Sequence, residues 1–102
     1  MISIQTSGID LMKDNEKNLF DKIINSELEK INKKFRNISS FYLHFKEHKK
    51  EGAKPKYSLH SKISINVFHI ETTSSGWDLR EVLKELFRKI DNEIEHKLKI
   101  KK

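Results

Sequence analysis

Residues 38–46 read ISSFYLHFK, and from Phe41 onward apolar and polar side chains alternate. An alternation with a period of two residues predicts a strand that buries one side and exposes the other. The apolar side chains on the first side are Phe41, Leu43 and Phe45. The polar side chains on the second side are Tyr42, His44 and Lys46. Such a strand needs a layer over its apolar side, so this stretch predicts a sheet covered on one face.

The same alternation recurs before and after this strand. Residues 1–7 alternate, and so do residues 57–65 and 68–72. The last two stretches lie on either side of Asn66, the residue predicted to form the turn. Residues 48–56 are polar and contain the only Pro of the chain, which predicts a loop between the second and third strands. The sheet is therefore predicted to have four strands.

Two stretches repeat apolar residues at steps of three and four, which is the pattern of one helix face. The first covers residues 14–36, and Asp14 is predicted to cap its start. The second follows residues 74–76 (Ser-Ser-Gly), which we expect to end the fourth strand and cap the helix. The apolar residues of the second helix are Leu79, Val82, Leu83, Leu86, Phe87, Ile90, Ile94 and Leu98.

The predicted order is β-α-β-β-β-α. Because each helix has one apolar stripe and the strands share one apolar face, the sequence predicts an α+β two-layer sandwich. In it, two helices pack on one face of a four-stranded sheet. The length of 102 residues suits one domain over residues 1–102, with a basic tail that we expect to fray from about residue 97.

Composition excludes several classes of protein. The chain has no Cys, which excludes a disulfide framework and thiolate metal sites. No apolar run approaches the ~20 residues of a membrane span, so no membrane partner is expected. The first residues lack the basic start and apolar stretch of a signal peptide. We therefore expect a small soluble intracellular domain.

The sequence offers little for catalysis or metal binding. It has no Gly-x-Ser-x-Gly motif, and its three glycines are too isolated to form a phosphate-binding loop. His44 and His60 could meet across neighbouring strands, which is enough for incidental metal capture, but no His spacing favours a dedicated site. We expect a protein that is not an enzyme, with no cofactor, no metal and no small-molecule substrate.

The charge of the chain points to a polyanionic partner. Lys and Arg total 21 against 15 Asp and Glu, a formal net charge of +6. Residues 46–62 contain six Lys and two Glu, so this short stretch supplies four of the six net positive charges. Positive charge concentrated in this way favours nucleic-acid binding, although Lys-rich surfaces also serve solubility alone.

The candidate RNA-binding residues fall into two groups. Those around the central loop are Lys46, His48, Lys49, Lys50, Lys54, Lys56 and Lys62. Those on the second helix are Arg80, Lys84, Arg88 and Lys89. Trp77 could stack on a base, but a lone Trp at the start of a helix more often closes the edge of the core, and we expect that position for it.

Four stretches resemble one family. They are residues 56–60 (KYSLH), 76–84 (GWDLREVLK), 87–94 (FRKIDNEI) and 2–9 (ISIQTSGI). In order and spacing they are similar to motifs of the ribosome hibernation-promoting factor and ribosome-associated inhibitor family. Lys56 and Lys89 match basic positions of that family. Arg80, Lys84 and Asn92 stand where its motifs have Tyr, Asp and Arg.

The resemblance implies a cytoplasmic, ribosome-binding protein that occupies the messenger and tRNA channel of the small ribosomal subunit. It implies contacts to ribosomal RNA through basic residues, and repression of translation under stress, the state called ribosome hibernation. The sequence ends soon after the second helix, so we expect a short form without the extra domain by which long members pair ribosomes. Off the ribosome we expect a monomer.

One alternative is a general module for structured RNA, resembling a double-stranded-RNA-binding domain, which would recognise A-form geometry on any RNA. Free duplex RNA would distinguish the two, because only the general module should bind it as well as it binds ribosomes. A protein-interaction adaptor would need an exposed apolar patch, and the sequence predicts none beyond the core.

Overall fold

The computed structural model describes residues 2–49, 52 and 54–99. Its elements confirm the predicted order β-α-β-β-β-α. They are β1 (Ser3–Ser7), a 3-10 turn (Ile9–Leu11), α1 (Asp14–Phe35), β2 (Ile38–His48), β3 (Lys56–Ile65), β4 (Phe68–Gly76) and α2 (Leu79–Lys99).

The four strands form one sheet in the order β1-β2-β3-β4. β1 runs parallel to β2, and the other neighbouring strands are antiparallel. The turn between β3 and β4 confirms the prediction at Asn66, whose φ is 54° while Ile65 pairs with Phe68. Asn adopts this left-handed conformation more readily than most residues, because its short polar side chain can bond locally.

Both helices share a core with one face of the sheet. Side chains from β2, β3, α1 and α2 form a single buried cluster, as the alternating and helical patterns predict. The rings of Phe41 on β2 and Phe87 on α2 stack with centroids 5.6 Å apart. Leu43 and Leu83 are 0% exposed. The predicted α+β sandwich is therefore confirmed.

The helix starts differ from the prediction. Asp14 is the first residue of α1 and does not cap it, because Lys13 occupies the cap position and its backbone N–H donates to Glu16 Oε1 at 3.0 Å. Residues 74–76 stay in β4, since Gly76 pairs with Tyr57. The cap of α2 is Asp78, whose Oδ1 accepts the backbone N–H groups of residues 80 and 81 at 2.9 and 3.3 Å.

Tyr57 joins the third strand to the start of α1. Its side chain is 8% exposed, and its hydroxyl donates to Glu16 Oε2 at 3.0 Å. Burial, and next this bond to a carboxylate, raise the pKa of Tyr57 from about 10 to about 12. Both effects disfavour the phenolate, so folding favours the neutral side chain.

We expect Tyr57→Phe to lower the free energy of unfolding by about 1–2 kcal/mol at neutral pH, because the buried Tyr57 side chain loses its hydrogen bond to a charged acceptor. The stabilisation from the raised pKa is present below about pH 10 and is lost as the pH rises towards about 12. Denaturant unfolding between about pH 10 and 12 should show that the free energy of unfolding falls with pH in the native chain, and that it falls less in Tyr57→Phe. Equal falls in the two proteins would contradict the assignment.

Candidate nucleic-acid interface

One face of the sheet is left uncovered by the helices and is called the open face below. Its side chains follow from the alternation and the strand register. Those of β1 and β2 are Ser3, Gln5, Ser7, Ser40, Tyr42, His44, Lys46 and His48. Those of β3 and β4 are Lys56, Ser58, His60, Lys62, Ser64, His69, Glu71, Thr73 and Ser75. None of them is a large aliphatic residue, so this face is suited to a polar ligand.

The charge of the open face is predominantly positive. Among the side chains just named, the cations are Lys46, Lys56 and Lys62. Glu71 is the single acid in that set, and its carboxylate lies 3.0 Å from His60 Nε2. Seven candidate RNA-binding residues were predicted around the central loop. Four of them, Lys46, His48, Lys56 and Lys62, lie on the strands of the sheet.

Hydrogen bonds orient several of the polar side chains. The Ser7 hydroxyl lies 2.7 Å from the Tyr42 hydroxyl and also bonds to His44 Nδ1. His69 Nδ1 lies 3.0 Å from the Ser64 hydroxyl. In both histidines Nδ1 is engaged, which leaves Nε2 as the ring atom able to contact a ligand.

A groove of about 450 Å³ crosses the open face towards the edge strand β4. Its lining residues are His44, Lys46, His48, Ser58, Leu59, His60, Thr73, Ser74, Ser75 and Lys89. Lys89 belongs to α2, but its ammonium donates to the Thr73 backbone oxygen at 3.0 Å and so reaches around the sheet edge. A cation on an exposed edge also hinders pairing with another strand. Lys89 therefore joins the open face, which helix periodicity alone does not reveal.

The other helix candidates lie on the opposite layer. Lys84 and Arg88 border a groove between α1 and α2, together with Lys30 and Lys34. The acids that line the same groove are Glu27, Asp91 and Glu95. Because cations and acids nearly balance there, this groove is a weaker site for a polyanion than the open face.

Several of these helix cations are already paired. The Arg88 guanidinium bonds to Glu85, and this pairing lowers the pKa of the carboxyl while raising that of the guanidinium. Lys34 Nζ lies 3.0 Å from Asp91 and 3.5 Å from Glu95, and the bond to Asp91 contributes most to its raised pKa. Such exposed pairs contribute little stability, yet a phosphate would have to compete with them.

The remaining candidates are placed as follows. Lys49 is exposed immediately after β2, Lys54 is exposed shortly before β3, and Arg80 is exposed in the first turn of α2. Lys50 lies outside the described residues. The candidates predicted around the central loop are therefore divided between the open face and exposed positions beyond the strand ends. Of those predicted on the second helix, Lys89 joins the open face, whereas Lys84 and Arg88 border the groove between the helices.

The prediction that Trp77 closes the core is wrong. Its side chain is 61% exposed, and the core next to it is closed by Leu79 and Val82, which are 5% and 3% exposed. Lys56 Nζ lies 5.8 Å from the centroid of the Trp77 ring. This separation is within the range of a cation–π contact. Trp77 thus adds an aromatic surface beside the open face.

The described residues also bear on metal and membrane binding. His44 and His60 are opposite one another on β2 and β3, as predicted. Within residues 2–49, 52 and 54–99, no three His, Asp or Glu side chains are grouped so that they could hold a metal ion. In the same part of the chain, neither helix has an apolar stretch that could span a bilayer.

Comparison with known proteins gives a likeness in structure but not in sequence. No family model matches the chain, and no curated protein matches it. A solved structure described as a ribosomal subunit interface protein from Coxiella burnetii superimposes with a TM-score of 0.67. The alignment covers 93% of each chain at 15% sequence identity. The chain therefore shares the fold of that ribosomal subunit interface protein.

Proposed function

We propose that this chain binds ribosomal RNA of the small subunit in the messenger and tRNA channel. There it represses translation by occupancy, without catalysis, in the cytoplasm of cells under stress. The observation that carries the proposal is the uncovered cationic sheet face. The shared fold with a protein described as a ribosomal subunit interface protein supports the choice of partner.

The spacing of the open-face cations suits a phosphate backbone. Lys56 and Lys62 are six residues apart on β3, which is roughly 20 Å at ~3.3 Å per residue. A strand of duplex nucleic acid has a phosphate about every 3.4 Å along its axis, so several phosphates fall within this span. Each Lys that neutralises a phosphate releases condensed counterions, which drives association. The rigid sheet holds these cations in place, and the hydroxyls around them can donate to phosphate or ribose oxygens.

The helix cations and the flanking lysines act as a secondary set. In a channel whose walls are RNA, Arg80, Lys84 and Arg88 face the wall opposite the one that meets the open face. Their contribution is the smaller one, because acids line the groove between the helices. Lys49 and Lys54 extend the positive surface beyond the ends of β2 and β3.

A pelleting assay with purified small subunits tests this function. The chain should pellet with the subunits, keep doing so in the presence of excess free duplex RNA, and inhibit translation in a cell-free system at stoichiometric amounts. Competition by duplex RNA as effective as that by small subunits would instead identify the general module for structured RNA. Failure to pellet at low salt would contradict ribosome binding altogether.

A further inference from the structure

The only tryptophan of the chain lies at one corner of the open face. Trp77 directly follows β4, in which Gly76 pairs with Tyr57 on β3. Among the described residues, the exposed large hydrophobics are Ile4, Val67 and Trp77, and Trp77 is the aromatic one. Trp77 is 61% exposed, so its aromatic ring is accessible to a ligand that can stack on it.

Trp77 is close to both a cation and a group of acids. The Lys56 ammonium lies 5.8 Å from the ring centroid. Trp77 also lines a depression of about 210 Å³ that is bordered by Asp78, Glu81 and Glu85. A phosphate is repelled by these carboxylates and attracted by Lys56. A ligand on Trp77 should therefore place its phosphate towards the open face and its uncharged part against the ring.

We propose that Trp77 stacks on an unpaired base of the bound RNA while Lys56 contacts an adjacent phosphate. The proposal rests on the proposed function, because it requires RNA on the open face, and it specifies a single-stranded segment at this corner. Bases have a π-face that stacks on aromatic side chains, whereas bases within a duplex already stack on each other. A protein partner is less suited, because Trp77 is bordered by Lys, Ser and acidic residues rather than by a continuous apolar patch.

The test uses fluorescence of the native chain, since the emission of its one tryptophan reports on this position alone. A single-stranded adenine octamer should quench the emission as it binds at low salt. A duplex bound to equal occupancy should leave it nearly unchanged. Labelled RNA gives the affinities of the variants by fluorescence anisotropy.

Trp77→Ala should weaken binding of the single strand by about ten-fold, within the range measured for one base–aromatic stack. Duplex affinity should stay the same, and Trp77→Phe should recover part of the loss. Val67→Ala is the matched control, because it truncates another exposed apolar side chain, in the turn at the far end of β4, and should change neither affinity. Thermal melting of each variant verifies that it is folded.

Three results would overturn the stack. They are unchanged emission with the single strand bound, unchanged affinity in Trp77→Ala, and no binding of single strands by the native chain up to ~1 mM RNA, beyond the usual non-specific range. The proposed function fails separately, when the native chain does not pellet with small subunits. If the native chain pellets with small subunits but Trp77→Ala binds single-stranded RNA with unchanged affinity, only the proposed stacking on Trp77 is refuted.

Discussion

Neutralising three open-face lysines, as Lys46→Gln, Lys56→Gln and Lys62→Gln together, is expected to lower affinity for small subunits by about two orders of magnitude at ~0.1 M salt. Each lost phosphate contact removes ~0.7–0.9 from the slope of log affinity against log salt, so the slope should shrink by about 2 to 3 units. Gln is chosen over Glu because Lys62 pairs across strands with Glu71, and like charges there would destabilise the sheet.

The matched control neutralises three cations on the helix layer, as Arg80→Gln, Lys84→Gln and Arg88→Gln. Because Arg88 is already paired with Glu85, this variant should lose less than about ten-fold, the equivalent of one phosphate contact. Binding titrations at several salt concentrations measure both variants, and their melting curves should match that of the native chain. If the open-face variant keeps full affinity and the helix variant loses most of its affinity, the RNA-binding interface lies on the helices and not on the open face.

The second large effect concerns the core. Leu83→Ala should lower the free energy of unfolding by about 2–5 kcal/mol, the usual cost of a large-to-small change at a fully buried site. Leu83 is 0% exposed and belongs to the cluster that joins α2 to the sheet. Denaturant unfolding followed by circular dichroism gives the value directly.

Lys84→Ala is the neighbouring control. Lys84 is exposed on the same turn of α2, so its truncation should change the free energy of unfolding by no more than about 0.5 kcal/mol. A change that small for Leu83→Ala as well would show that this helix face does not pack on the sheet.

The periodicity of the apolar residues and the order of the predicted strands and helices were sufficient to predict the fold. The alternation in β2 and β3 and the stripes of both helices each report which side chains leave water, and burial of those side chains is what joins the layers. The alternation also places His44 and His60 on the same face of the sheet, since a shift by one residue would expose Phe41, Leu43 and Phe45. A shift by two residues would preserve that face, so their direct pairing is known from the structure and not from the alternation.

The candidate site was predicted less completely, for reasons specific to its residues. The alternation places Lys46 on the polar side of its strand, but it does not show how far the strands extend. His48 and Lys56 were predicted in the loop, whereas β2 ends at His48 and β3 begins at Lys56. The reach of Lys89 around β4 depends on how α2 sits against the edge strand, which no local pattern encodes. Trp77 precedes the cap at Asp78 and is exposed, whereas Leu79, the first residue of α2, is buried.

The most direct test of the central claim is a sucrose gradient of lysate from stationary-phase cells at low salt. The native chain is expected to migrate with the small subunit or the whole ribosome, whereas the variant with Lys46→Gln, Lys56→Gln and Lys62→Gln is expected in the top fractions. Native chain found only at the top of the gradient would contradict ribosome binding and, with it, the role assigned to the open face.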